Sequence, residues 1–184
     1  MKVIMIAVSS LNGKITKGIN PNIYKWTSKE DLWLFFSLIE KNNLIVMGSK
    51  TYEGSRSIIK LKKNKLRVVL TQNPEKYLDQ TVKGSLEFVS DSPKKLIERL
   101  ENRGYKKMLL VGGATINALF LKSKLVNELH LTLEPKIFGT GKNLINEEDL
   151  DIPLKLMSIK KLNNQGALHL KYKLQENDLY GSMI

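Results

Sequence analysis

Six short apolar runs, each breaking off into a polar or glycine-rich exit, limit how this chain can fold more than any other feature. The fifth is the sharpest. In KKMLLVGGATINALFL, Lys106 to Leu121, the residues Leu109, Leu110 and Val111 read as a strand buried on both faces. Gly112 and Gly113 stop it. Ala114 to Leu121 then follows a helical pattern, with Ile116, Leu119 and Phe120 on one stripe. A glycine pair at such a join lets backbone approach backbone, or approach a ligand. The free N–H groups of the new helix point into the gap and suit a phosphate. Taken alone, these residues fit a phosphate cradle and an ordinary tight turn alike.

The other runs are Val3 to Ser9, NLIVMG, LRVVLTQNP, LEFVS and VNELHLTLEPKIFG. Helix signals lie between them. Ser28 is an N-cap for a helix to about Lys41, with Leu32, Phe35, Phe36 and Ile39 on its apolar face. KTYEGSRSII opens a short helix or turn. Ser92 caps a helix from about Pro93 to Asn102, with Leu96, Ile97 and Leu100 inward. Near the end, LKLMSIKKLNNQGALHLKYKL alternates on either side of Asn-Gln-Gly, a hairpin signal. The pattern predicts an α/β fold with a mostly parallel sheet and an antiparallel C-terminal hairpin. Ligands bind such sheets at the C-terminal ends of the strands. Here those ends carry the loop after Ser9, then MGSKT, TQNP and GGAT.

The 184 residues show no repeat and no linker, so the chain reads as a single domain. There is no cysteine, which excludes disulfides, thiol catalysis and cysteine-bound zinc. The two histidines, His130 and His169, are too few for a histidine-rich metal site, and no metal is expected. MKVIMIAVSSLNG lacks a signal-peptide pattern and reads as a strand. No apolar run is long enough to cross a bilayer, so a cytoplasmic protein is expected. The net charge of +12 comes from scattered lysines. The densest patch, KLKKNK beside Arg67, has no interleaved aromatics, and nucleic acid is not expected as a partner. A positive field does attract anionic cofactors and substrates.

Taken in order, SSLNGKIT, WTSKED, IVMGSKTYE, VVLTQNP, LLVGGATI and ELHLTLEPKIFGTGKNLI resemble the dihydrofolate reductase superfamily, which includes the reductase domain of riboflavin biosynthesis. The likeness runs from about Lys2 to Tyr172. It implies a three-layer α/β/α reductase domain over 1–184, with a core at 1–174 and an uninterpreted tail at 175–184. It also implies NADPH as cofactor. The pyrophosphate role then falls to Val111, Gly112, Gly113, Ala114, Thr115 and Ile116, with a cis peptide at the glycine pair. A second phosphate contact falls to Gly48, Ser49, Lys50 and Thr51. The adenosine end falls to Leu70, Thr71, Gln72 and Asn73, and the nicotinamide to Ala7 and Val8. One departure matters: many dihydrofolate reductases have an arginine where Ser49 stands, and Lys50 supplies charge without a bidentate fork.

Reducing a pterin imine takes a hydride on carbon and a proton on the neighbouring nitrogen. A buried carboxylate suits this, because it orients an amino-pyrimidine edge and favours the protonated substrate. Trp26 and Asp31 stand in the W-x4-D spacing of dihydrofolate reductases, and Thr132 matches a threonine that backs the acid. Away from the resemblance, Asp31 is also what a first helical turn uses to favour its dipole. Phe35, one turn on, is placed to pack on a substrate ring. Leu11 to Lys25 reads as a lid.

Two substrates compete. W-x4-D and Thr132 tip the expectation to dihydrofolate reduction, with Lys65 roughly where the family puts the cation for the glutamate tail and the riboflavin-pathway pyrimidine as the alternative. WTSKED and FGTGKNLI look closer to the riboflavin branch, whose pyrimidine carries a ribose phosphate. The expected partner is a small pterin or pyrimidine, and the expected assembly a monomer or homodimer. A basic binding protein on a reductase scaffold is the alternative of a different class.

Overall fold

The computed structural model describes residues 1–20 and 22–175. All but the first residue of the expected 175–184 tail lies outside them. Eight strands form one sheet: β1 (Lys2–Ser10), β2 (Leu44–Gly48), β3 (Leu66–Leu70), β4 (Leu86–Val89), β5 (Lys107–Leu110), β6 (Glu128–Glu134), β7 (Leu154–Lys161) and β8 (Leu168–Leu174). Their spatial order is β4-β3-β2-β5-β1-β6-β8-β7. The first six pair in parallel, while β6 with β8 and β8 with β7 are antiparallel. The expected parallel sheet with a closing hairpin is what forms.

Among the described residues four α-helices cover the sheet: α1 (Lys29–Glu40), α2 (Ser49–Ser55), α3 (Pro93–Asn102) and α4 (Ala114–Lys122). Side chains alternate across the strands, so each strand feeds two cores. On one face Val3, Met5, Val46, Val68 and Leu110 pack with Leu96 and Leu100 of α3 and Phe120 of α4. On the other, Ile4, Ile45, Val69 and Leu109 pack with Tyr52 of α2 and partly buried Phe35, Leu38 and Ile39 of α1. The result is the three-layer α/β/α arrangement.

Two helices depart from simple amphipathic burial. In α1 the single fully buried residue is Asp31, and the apolar face of Leu32, Phe35, Phe36 and Ile39 stays partly open. In α4 the predicted stripe divides: Phe120 is fully buried, Ile116 is half-buried and Leu119 is exposed. Both open surfaces face one cleft. An apolar face that a helix leaves uncovered beside a cavity is available to a ligand.

Candidate active site

The cleft, about 980 Å3, runs along the C-terminal ends of β1, β2, β3 and β5. Ala7 and Val8 come from β1, Gly48 from β2, and Ser49, Lys50 and Thr51 from α2. Leu70, Thr71, Gln72 and Asn73 line it at the exit of β3. Val111, Gly113, Ala114, Thr115 and Ile116 line it at the exit of β5. Asp31 and Phe35 line it from α1. These residues come from well-separated stretches of sequence, and the parallel crossovers bring them to one edge.

Gly112 sits just behind this surface. Its carbonyl accepts the Gly48 N–H at 2.7 Å, its φ is +85°, and the Gly112–Gly113 peptide is cis. Space here is tight. A Cβ on Gly48 would lie 2.8 Å from Ile116 Cγ1, and one on Gly113 would lie 3.2 Å from Thr51 Oγ1. The helix ends differ in a matching way. Ser28 and Ser92 cap α1 and α3 with side-chain oxygens, whereas Gly48 and Gly113 precede α2 and α4 and offer no side-chain cap. The first-turn N–H groups of α2 and α4 are left for something else to satisfy.

At the other station, Asp31 is 6% exposed. Its backbone N–H donates to Ser28 Oγ at 3.3 Å. Burial pushes its carboxyl pKa up to about 6; a hydrogen bond with Thr132 opposes the rise, and the Glu134 charge adds to it. Glu134 is itself buried, and its Oε1 accepts the Ser28 N–H at 2.7 Å. The β6 carboxylate thus holds the N-cap residue of the helix that carries Asp31.

Three predicted residues stand elsewhere. Thr132 backs Asp31 from β6 without lining the cleft. Trp26 is buried against Phe138, edge to face at 5.1 Å, and also does not line it. Lys65, expected to meet a substrate tail, is turned away. Its buried ammonium donates to the carbonyls of Ile39, Glu40 (3.0 Å) and Asn42 (2.8 Å), and so closes the C-terminus of α1.

Arg67, two residues on, takes the open position. It is 8% exposed, lines the cleft, and its Nε and Nη1 have no hydrogen-bond partner. Burial pulls its pKa down, and Glu40, the nearest opposing charge, is hydrogen-bonded to Lys62 at 2.8 Å. The sequence does carry a signal for it: an arginine inside the apolar strand LRVVL.

The segment read as a lid, Leu11 to Lys25, is tied to 136–144. Leu11 and Ile15 N–H groups donate to Lys136 and Lys142 carbonyls at 2.8 Å each, and Gly18 N–H to Thr140 at 3.0 Å. Ile15, Thr16 and Lys142 close one side of the cleft. Among the described residues no cluster of side chains is arranged to hold a metal ion, and no helix is long and apolar enough to cross a membrane.

The fold has solved counterparts. A pyrimidine reductase-like protein from Corynebacterium diphtheriae superposes with a TM-score of 0.78 at 18% identity, covering 96% of this chain and 92% of that one. The Thermotoga maritima diaminohydroxyphosphoribosylaminopyrimidine deaminase/5-amino-6-(5-phosphoribosylamino)uracil reductase matches with a TM-score of 0.72 at 15% identity; 95% of this chain covers 56% of that larger protein. Enterococcus faecalis dihydrofolate reductase matches at 0.60 and 19% identity, over 95% of this chain and 97% of that one. In sequence, the protein YwjB of Bacillus subtilis (strain 168) is 24% identical over 127 residues, 68% of this chain and 71% of YwjB. The likenesses in structure establish a dihydrofolate-reductase-like fold. Residues 1–168 match the RibD C-terminal domain, and the chain belongs to that family.

Proposed function

We propose that this protein is an NADPH-dependent reductase that reduces the C=N bond of the ring-opened, imine form of a glycosylamino-pyrimidine bearing an anionic tail. 5-Amino-6-(5-phosphoribosylamino)uracil is the first candidate substrate. The observation that carries the reading is the shared cleft: two uncapped helix starts at glycine joins and one buried carboxyl open on the same cavity. Family membership, and the pyrimidine reductases among its structural neighbours, favour the phosphorylated pyrimidine over the expected dihydrofolate.

The residues fit a dinucleotide. The first-turn N–H groups of α2 and α4 suit its phosphates, and Gly48 and Gly113 let the two helix starts pack closely where a Cβ would press on Ile116 and Thr51. Ala7 and Val8 offer a wall for the nicotinamide, and Thr71 to Asn73 a shelf for the adenosine. When bound, this cofactor supplies the hydride that reduces the imine carbon. Asp31 holds the amino-pyrimidine edge and, with its pKa near 6, keeps a proton close to the imine nitrogen. Phe35 and Leu32 pack on the ring, and the apolar wall keeps water from hydrolysing the imine. Arg67 brings a buried positive charge to the cleft wall, which favours a phosphate or carboxylate on the substrate.

A second reading, dihydrofolate reduction, is favoured by the Asp31–Thr132 pair, which is the arrangement the resemblance implies for a pterin site. Following NADPH absorbance with each substrate separates the two, with Asp31→Asn as the control. Oxidation with the pyrimidine alone, abolished in the variant, supports the main reading. Oxidation with dihydrofolate alone replaces it, and no oxidation with either removes both.

A further inference from the structure

Strand β6 carries a buried polar stripe where a core would ordinarily be apolar. On one face run Glu128, His130, Thr132 and Glu134, while Leu129, Leu131 and Leu133 take the other. His169 of β8 stands directly across from Thr132 in the antiparallel register. Both histidines of the chain belong to this stripe.

The contacts run in one direction, from the N-terminal ends of β1 and β6 towards the cleft. Lys2 pairs with Glu128 at 2.6 Å, and Glu128 meets His130 Nε2 at 3.2 Å. The His130 and His169 rings pack edge to face at 5.8 Å. His169 Nδ1 lies 3.3 Å from Thr132 Oγ1, and both residues are buried. Thr132 in turn hydrogen-bonds Asp31. His169 Nε2 has no partner.

A threonine hydroxyl has one proton and can donate once. An ionised carboxylate only accepts, so Thr132 must give that proton to Asp31 when Asp31 is charged. Thr132 Oγ1 can then only accept from His169, which requires the proton on Nδ1. The partnerless Nε2 fits the same tautomer, because a bare ring nitrogen leaves no buried donor unmet.

We propose that His169 is a positioning residue for Asp31: in its Nδ1–H tautomer it donates to Thr132 and thereby aims the Thr132 hydroxyl proton at the ionised carboxylate. The inference rests on Asp31 as the acid of the site. The charged groups around the relay are consistent with a neutral ring. His130, Lys171 and Lys160 face His169, and burial together with these groups holds its pKa near 4. Glu134 is the charged group that faces Asp31. Protonating Asp31 removes the demand on Thr132 and frees His169 to exchange tautomers.

The test is NMR on the unliganded protein, so it does not depend on any substrate. Long-range proton–nitrogen spectra read the tautomers of the two histidines directly, with His130→Gln assigning the signals. At pH 8 His169 is expected with its proton on Nδ1; finding it on Nε2 overturns the proposal. Carboxyl carbon spectra of aspartate-labelled protein give the Asp31 midpoint, assigned by loss of its signal in Asp31→Asn. His169→Leu is expected to raise that midpoint by roughly half a pH unit or more, and His169→Asn, which keeps a donor near Nδ1, is expected to restore it. An unmoved midpoint in the leucine variant also overturns the proposal. Should that variant not fold, the wild-type tautomer decides. Loss of NADPH oxidation on all substrates would remove the proposed function and leave these measurements standing.

Discussion

Gly141 passes so close to Thr16 that a Cβ on it would sit 2.1 Å from the Thr16 carbonyl oxygen. This contact seats one loop on another beside the cleft. Lys142 N–H donates to Thr16 Oγ1 at 2.8 Å, and Asn12 bonds both the carbonyl and the N–H of Phe138. Gly141→Ala must push the two segments apart, since the clash is with backbone and no rotamer relieves it. Amide exchange at Ile15, Gly18 and Leu144 is expected to speed up, with protection elsewhere in the sheet unchanged. Unchanged exchange at those three amides would mean the loops are not held by this contact.

Asp31 is expected to cost stability at neutral pH. Its folded pKa, about 6, lies above the unfolded value of 3.8. The protonated form is thus the one the fold favours. The stabilising contribution is full below about pH 3.8 and is lost as pH rises through 6. Asp31→Asn removes the charge and keeps the shape. At pH 8 it is expected to be more stable than the parent by at most about 3 kcal/mol, a gain of several degrees in melting temperature. At pH 4 the two should nearly coincide. Equal melting temperatures at pH 8 would show that the carboxyl is not buried at this cost.

How far the sequence reveals this site depends on which link is being read. Periodicity and capping locate the strands and helices well. Ser28 and Ser92 stand at N-caps, and Leu96, Ile97 and Leu100 face inward as their spacing predicts. The glycine exits line up on one edge because parallel crossovers leave no other arrangement. What local pattern cannot show is which apolar face meets a core and which meets a cavity. Leu119 and Phe36 carry the same signal as Phe120 and are exposed. Lys65 and Arg67 are two cations two residues apart, one just before β3 and one within it. Only the position of the α1 C-terminus decides that Lys65 is spent on carbonyls while Arg67 stays free. The β6 stripe is equally non-local, since His169 and Thr132 meet through a register set by the hairpin.

Arg67 separates binding from structure in one substitution. A buried guanidinium without a full set of partners weakens the empty protein, so Arg67→Met is expected to raise its stability. The same change should raise KM for a phosphorylated substrate about 10- to 100-fold, the worth of a charge-assisted contact. An analogue lacking the phosphate should lose far less. Equal losses for both compounds, measured as paired KM values, would remove Arg67 from tail recognition.

Lys50 tests the choice between the two nicotinamide cofactors. It stands in the first turn of α2, exposed, at the rim of the cleft, with Ser49 before it. The nearby cleft carboxylate, Asp91, is held by Arg99 Nε at 2.9 Å, which mutes its repulsion of a phosphate. An exposed ammonium acts as a point charge and is screened by salt. Lys50→Ala is therefore expected to weaken NADPH binding about tenfold at low ionic strength and to leave NADH nearly unchanged. The gap between the cofactors should narrow in the parent protein as salt is added. Fluorescence titration of both cofactors at two salt concentrations reads this directly. A preference for NADPH that survives both the substitution and the salt would place 2′-phosphate recognition on other residues, with the backbone at the start of α2 the first place to look.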